Sequence, residues 1–243
     1  KELNTVMLRR KKEEVLDLPP KIYTTEYIEL TRKQRILYKE IRQGIVDNLE
    51  NILEIHNPLS CTVRLRQLTG GVFGDDNPKL ERVKDMLEEI TESGHKALIF
   101  SQWEQVTSVY KEALKGYNPA YIVGAVDPED RQKEVDRFQN DPTCKVAIGT
   151  IGAMGTGLTM TAASYVFFVD KRYWDAENKQ AEDRAHRIGT TNTVNVVSWV
   201  ATNTVDEGIE EMLRDNKALF DRVVEGKGSR VDVGEILRKI LQY

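Results

Sequence analysis

Two arginines three residues apart, Arg184 and Arg187, lie in the segment Gln180-Ala-Glu-Asp183-Arg184-Ala-His186-Arg187-Ile-Gly189. On a helix that spacing puts both on one face. Two guanidinium groups at the edge of a sheet suit neutralisation of phosphate. The same spacing also suits a surface salt-bridge array with Glu182 and Asp183, and spacing alone does not choose between the two. A second candidate is Gly152-Ala-Met-Gly155-Thr-Gly157-Leu-Thr. Glycines after a strand let backbone amides approach phosphate or sugar, although ordinary tight turns use them too. The segment is not a Walker A loop, which needs Gly-x-x-x-x-Gly-Lys before Ser or Thr, and its glycine order is wrong for a dinucleotide fingerprint. A third candidate is Tyr173-Trp174. Such a pair can stack on a nucleotide or wedge into a groove, while residue type alone favours core packing.

These residues need elements to hold them. A short continuous apolar run, Ala97–Phe100, reads as a strand buried on both faces. Further strands are expected at 120–123, 145–149, 164–169 and 194–200, alternating with helices at 79–92, 106–114, 128–138, 176–187 and 205–223. Asp127 is the expected cap of the helix that Pro128 begins. Gly152–Thr159 then follows a strand, Tyr173-Trp174 follows the strand ending at Asp170, and both arginines ride on the helix 176–187. The alternation predicts an α/β fold, a parallel sheet with helices on both faces. Residues 1–74 read as mostly helical and charged, with one strand near Thr25–Leu30 and a helix from Thr31 to about Ile55. A further helix is expected over Leu59–Leu68, ending at Gly70-Gly71, and a last one over Val231–Gln242. The expected division is therefore 1–74 as a helical segment, 75–223 as the α/β lobe and 224–243 as a C-terminal helix.

Composition narrows the function classes. The 243 residues are 40% hydrophobic and 30% charged, with a net charge of −4. This suits a chain that buries a sizeable core. A basic bulk charge, which would favour nucleic acid, is absent, so phosphate contact depends on local patches. Arg9-Arg10-Lys11-Lys12 is one and Arg64 with Arg66 another, though charge runs are usually solvated faces. Cys61 and Cys144 match no metal spacing and suggest a reducing compartment. His56, His95 and His186 form no cluster, so no metal site is expected. No signal peptide is visible, no apolar run approaches the ~20 residues of a membrane span, and the chain reads as a fragment.

Taken in order, these segments resemble the second RecA-like lobe of the SWI/SNF family in helicase superfamily two. Leu8–Val15 with Leu18-Pro-Pro-Lys21 is similar to the stretch leaving the first lobe, and Leu65-Arg-Gln67 to the helical stretch before the second. Lys96-Ala-Leu-Ile-Phe-Ser-Gln102 resembles motif IV, and Arg131–Phe138 the helix after it. Thr150–Ala163 resembles motif V, Gln180–Gly189 resembles motif VI closely, and Thr204-Val-Asp-Glu207 fits the helix that follows. There are departures. The family's Gly-Leu-Asn-Leu is Gly157-Leu-Thr-Met160 here, its Gln after Ile-Gly is Thr190, and its Trp-Asn-Pro aligns with Tyr173-Trp174-Asp175.

The resemblance implies the second motor lobe of an ATP-dependent translocase that tracks double-stranded DNA. ATP and Mg2+ would be held mainly by a first RecA-like lobe, which supplies the phosphate loop and metal-binding acids. This chain alone would bind neither tightly and would be inactive as an ATPase. It further implies Arg187 as the arginine finger and Arg184 as its partner. Gln180, Gly155 and Gly157 would stand at the ATP interface. Ser101, Gln102, Arg131 and Thr150 would contact DNA backbone, a mode that carries no sequence information, and Tyr173 and Trp174 would also bind DNA. A DNA-bound protein is a further expected partner. A bacterial or viral source, the one the departures favour, implies the cytoplasm, and a eukaryotic source the nucleus. The competing readings are a helicase-like module that binds DNA or protein without turnover, and a self-contained α/β enzyme. The second would need a general base and a complete phosphate or metal site, and the sequence offers neither.

Overall fold

The structure is a computed structural model that describes residues 18–48, 58–73, 76–155, 157–224 and 233–242. The basic run 9–12 lies outside them, as do residues 49–57; the helix expected from Thr31 to about Ile55 already ends at Val46, where Asp47 caps it and Asn48 N turns back to Ile45 O at 3.2 Å. The first elements are strand β1 (Lys21–Ile28), helix α1 (Arg32–Val46), helix α2 (Val63–Thr69) and helix α3 (Pro78–Glu92). Then come β2 (Ala97–Ser101), α4 (Glu104–Ala113), β3 (Ala120–Ile122), α5 (Pro128–Asn140), β4 (Val146–Thr150) and the single turn α6 (Ile151–Met154). The chain continues through β5 (Tyr165–Phe168), α7 (Asp175–Glu182), β6 (Val194–Ala201), α8 (Val205–Val224) and α9 (Val233–Leu241).

The six strands form one all-parallel sheet in the order β1-β6-β5-β2-β4-β3. Alternate residues along each strand enter different cores, as the pleat requires. Leu98 and Phe100 pack with Val135 and Phe138 of α5, Ile151 and Met154 of α6 and Ala181 of α7. Ala97 and Ile99 pack with Val83 and Leu87 of α3 and Val106 and Tyr110 of α4. Helices thus cover both faces, as the apolar runs predict. A third cluster joins Tyr38 of α1, Leu65 and Leu68 of α2, Ile209 of α8 and Ile240 of α9. Strand β1, from the part of the chain read as mostly helical, is the edge strand of this same sheet and pairs with β6 along its length, from Lys21 opposite Val194 to Ile28 opposite Ala201.

Asp127 stands at the N-cap of α5 and Pro128 begins the helix, as expected, although the cap is made by the Asp127 backbone carbonyl, which accepts from Arg131 N at 2.9 Å, and not by its side chain. A further local expectation is corrected. The helix expected over 176–187 stops at Glu182. Beyond it Arg184 N bonds Ala181 O and Ala185 N bonds Glu182 O, both three-residue turns, and Gly189 takes φ 103°. Arg184 and Arg187 therefore do not share a helix face. Among the described residues no helix is long and apolar enough to cross a membrane.

Candidate phosphate and nucleic-acid interface

All six strands point the same way, so the loops after β2, β4 and β5 meet at one edge of the sheet, where ligands of open α/β sheets bind. At the end of β4, Thr150 caps α6 by accepting from Ala153 N at 3.4 Å. Gly155 ends that turn, its N–H bonding Ile151 O at 2.8 Å. A side chain there would put its Cβ 2.5 Å from the Ile151 carbonyl, so the turn needs glycine. Gly157 stands at φ 72°, exposed, with open space around it.

Arg184 knits the two glycine- and arginine-bearing segments together. It is 9% exposed. Its Nη2 donates to Gly155 O and its Nη1 to Leu158 O at 3.3 Å, while its own carbonyl accepts from Met160 N at 2.9 Å. Burial first, then the neighbouring Arg187 charge, push its pKa below the usual arginine range, with Asp183 opposing. Its Nε is buried and has no partner among the described residues. Arg187 is exposed; its Nη1 donates to Thr159 Oγ1 at 3.0 Å and its backbone N–H to Thr190 Oγ1 at 3.1 Å. Thr159 and Thr190 are two of the departures from the family pattern, and both converge on Arg187.

Among the described residues neither Arg184 nor Arg187 is in an ion pair. The carboxylates that could have quenched them are taken by strand β1: Lys21 Nζ lies 2.8 Å from Glu182 Oε1 and 2.8 Å from Asp183 Oδ1, and the Tyr23 hydroxyl donates to Glu182 at 2.8 Å. His186 Nε2 donates to Pro19 O at 2.6 Å. The salt-bridge array that spacing left open is therefore not formed by the arginines. Two positive groups, one with a buried unpartnered N–H and one facing solvent, fit an anion such as the phosphates of ATP. No group of three or more His, Cys, Asp or Glu side chains among the described residues could hold a metal ion. Gln180 lies exposed on α7.

The residues expected to touch DNA divide into two sets. Ser101 is 1% exposed, donates to Asp170 Oδ2 and accepts from Trp103 N at 3.0 Å, so its hydroxyl is spent inside the lobe. Tyr173 is half-buried, with its hydroxyl 2.6 Å from Thr62 Oγ1. Gln102 is half-buried and accepts from Arg66 at 2.8 Å. Arg131 and Thr150 are half-buried, and Trp174 is 65% exposed. Arg66, read from sequence as part of a solvated patch, is fully buried. Sequence reasoning missed Lys21, Tyr23, Asn178 and the partners of Arg66. Only Lys21 carried a signal, as the last residue of Leu18-Pro-Pro-Lys21.

Comparison with known proteins agrees with this geometry. The family model described as the helicase conserved C-terminal domain matches residues 78–189. An uncharacterized ATP-dependent helicase of Mycoplasma pneumoniae is 30% identical over 90% of this chain. The mouse DNA annealing helicase and endonuclease ZRANB3 is 31% identical over 96% of it. In each case this chain spans only 22% of the relative's length. The SWI2/SNF2 ATPase core of Sulfolobus solfataricus, solved in complex with double-stranded DNA, superposes with a TM-score of 0.71 at 26% identity, covering 98% of this chain and 54% of that one. The matched segment holds the glycine turn and both arginines, and the fold extends the likeness over the rest, so this chain is a helicase C-terminal lobe, similar to those of SWI2/SNF2 ATPases.

Proposed function

We propose that the chain is the second motor lobe of an ATP-dependent translocase that moves along double-stranded DNA. The observation that carries this is the pair Arg184 and Arg187, held on the turn after α7 with no carboxylate partner among the described residues while Lys21 occupies Glu182 and Asp183. Unquenched guanidinium groups beside a glycine turn suit a γ-phosphate delivered from a facing lobe, where charge shifts as the bond to the leaving group breaks. Arg187, exposed and anchored at its backbone, serves as the finger. Arg184 is its partner and also holds the turn at Gly155. Gln180, Gly155 and Gly157 complete this side of the ATP interface. Mg2+ and the phosphate loop belong to the first lobe, and residues 1–74 lead from that lobe, contributing β1 to the sheet of this one.

DNA backbone is held at the carboxyl edge of the sheet by Gln102, Arg131, Thr150 and Trp174. Ser101 and Tyr173 support that edge from within. Contacts of this kind are independent of sequence. ATP supplies the hydrolysable anhydride, and closing and reopening of the lobes shift these contacts along the duplex. The test is ATP hydrolysis by the complete protein with and without duplex DNA, beside the same assay on this chain alone. Stimulation by DNA in the first and no turnover in the second is the expected result. Turnover by the lone chain would refute the assignment.

A further inference from the structure

Strand β5 runs out into residues 170–174, the segment that opens α7 and carries the exposed Trp174. Each of its first four residues is held. Arg66 of α2 donates through Nη2 to the Lys171 carbonyl and approaches Asp170 Oδ1 at 3.5 Å. Its Nη1 donates to Gln102 Oε1, in the loop after β2, at 2.8 Å. Its guanidinium carbon lies 4.7 Å from the Tyr173 ring centroid and 5.4 Å from that of Trp103. On the other side Asn178 closes on Arg172 like a second backbone: its Oδ1 accepts from Arg172 N and its Nδ2 donates to Arg172 O, both at 2.9 Å. Asp170 in turn accepts from Ser101 and from Gln102 N at 2.8 Å.

Packing alone does not explain Arg66. It is fully buried, and an apolar residue of similar size usually replaces a buried ion pair at little or no loss of stability. Lysine would keep the charge but not the shape. The planar fork is what lets one side chain address acceptors on two different loops while lying against two rings. We infer that Arg66 is a positioning residue: it locks the segment after β5 to the loop after β2, so that Gln102 and Trp174 are presented together in fixed geometry at the carboxyl edge. Its consequence for DNA rests on the translocase reading above; the clamp itself does not.

The experiment uses the complete protein labelled with 5-fluorotryptophan. Arg66→Lys is compared with Leu65→Ala, a fully buried neighbour on α2 that packs in the third core cluster. A third variant, Arg66→Met with Asp170→Asn, keeps the buried charge balanced and folds where Arg66→Lys does not. Loss of the fork moves or broadens the Trp174 fluorine resonance, while Leu65→Ala leaves it in place at equal loss of thermal stability. It also raises the duplex concentration for half-maximal ATPase stimulation about tenfold, the order a misplaced contact costs, with kcat at saturating DNA unchanged. A Trp174 resonance unmoved in both Arg66 variants overturns the inference. If hydrolysis by the unaltered protein ignores DNA, the translocase reading falls instead, and the resonance alone judges the clamp.

Discussion

Lys21 Nζ stands 2.8 Å from Glu182 Oε1, across 161 residues of chain, and the pairing sets the electrostatics of the neighbouring arginines. The lysine side chain is 15% exposed and the glutamate 5%. Burial works against the charge on Lys21, but the carboxylates of Glu182 and Asp183 outweigh it and lift its pKa above the ordinary lysine range. An edge strand thereby draws the acidic half of the segment to itself and leaves Arg187 facing outward beside the buried Arg184.

Lys21→Ala is expected to destabilise the protein by about 3 kcal/mol, because it leaves two carboxylates with a lost partner in a largely buried site. A group whose folded pKa is raised gives stability that is complete below its ordinary value, 10.5 for lysine, declines above that and is gone once pH has risen through the raised one. The deficit should therefore be equal at about pH 6 and about pH 9. Urea unfolding of both proteins measures it, and a difference under about 0.5 kcal/mol, the range of ordinary surface changes, would show the pairing to be incidental.

The two glycines of the turn after β4 should respond differently to alanine. Gly155→Ala drives a Cβ against the Ile151 carbonyl, so the turn must shift and Arg184 loses an acceptor; about 2 kcal/mol is expected. Gly157→Ala meets open space and costs only the left-handed backbone, about 1 kcal/mol. Thermal unfolding gives the order, and a larger loss for Gly157→Ala contradicts it.

Acid should act partly through Glu134. Burial raises its pKa, but hydrogen bonds from Arg137 and the Tyr121 N–H outweigh it, leaving the value below the ordinary 4.5. Its Oε2 accepts from Arg137 Nη2 at 2.7 Å and from Tyr121 N at 2.9 Å, tying α5 to β3. A depressed pKa gives stability that is present above the ordinary value and lost as pH falls through the folded one. Glu134→Gln should cost about 1.5 kcal/mol at neutral pH and progressively less below the ordinary glutamate value. A deficit that stays constant down to acid unfolding would remove Glu134 from the account.

The sheet was legible because a strand buried on both faces must be apolar throughout, as Ala97–Phe100 is, and α3 because Leu80, Val83, Leu87 and Ile90 recur at helical spacing. The end of α7 was not. Helix propensity runs on through Arg184, but hydrogen bonds to Gly155, Leu158 and Met160, far away in sequence, turn the chain at Glu182. Arg66 misled for a related reason: a charge run looks solvated until partners a hundred residues away, Asp170 and Lys171, are folded around it. Spacing alone left the arginines undecided between phosphate and a surface salt-bridge array, and residue type alone favoured core packing for the aromatic pair. The ordered resemblance supplied the expected roles, and three-dimensional pairing of Glu182 and Asp183 with Lys21 occupies the carboxylates of the competing salt-bridge array.

Arg187 and Arg184 should separate in kinetics, although they lie three residues apart. Arg187 is exposed and is hydrogen-bonded to Thr159 and Thr190. If it meets the γ-phosphate when the lobes close, it acts in the transition state, so Arg187→Ala in the complete protein should lower kcat and leave ATP affinity nearly unchanged. Arginine fingers contribute ~10³–10⁵ in rate, so a loss of about two orders or more is expected. Arg187→Lys should not restore it, because an ammonium lacks the planar fork. Arg184 differs: its guanidinium already holds the Gly155 and Leu158 carbonyls, so Arg184→Ala should lower thermal stability as well as turnover, with weaker ATP binding. DNA-stimulated hydrolysis, ATP binding and melting temperature, measured on the three variants, decide the matter. A folded, DNA-binding Arg187→Ala protein with near-normal kcat would remove Arg187 from the catalytic role.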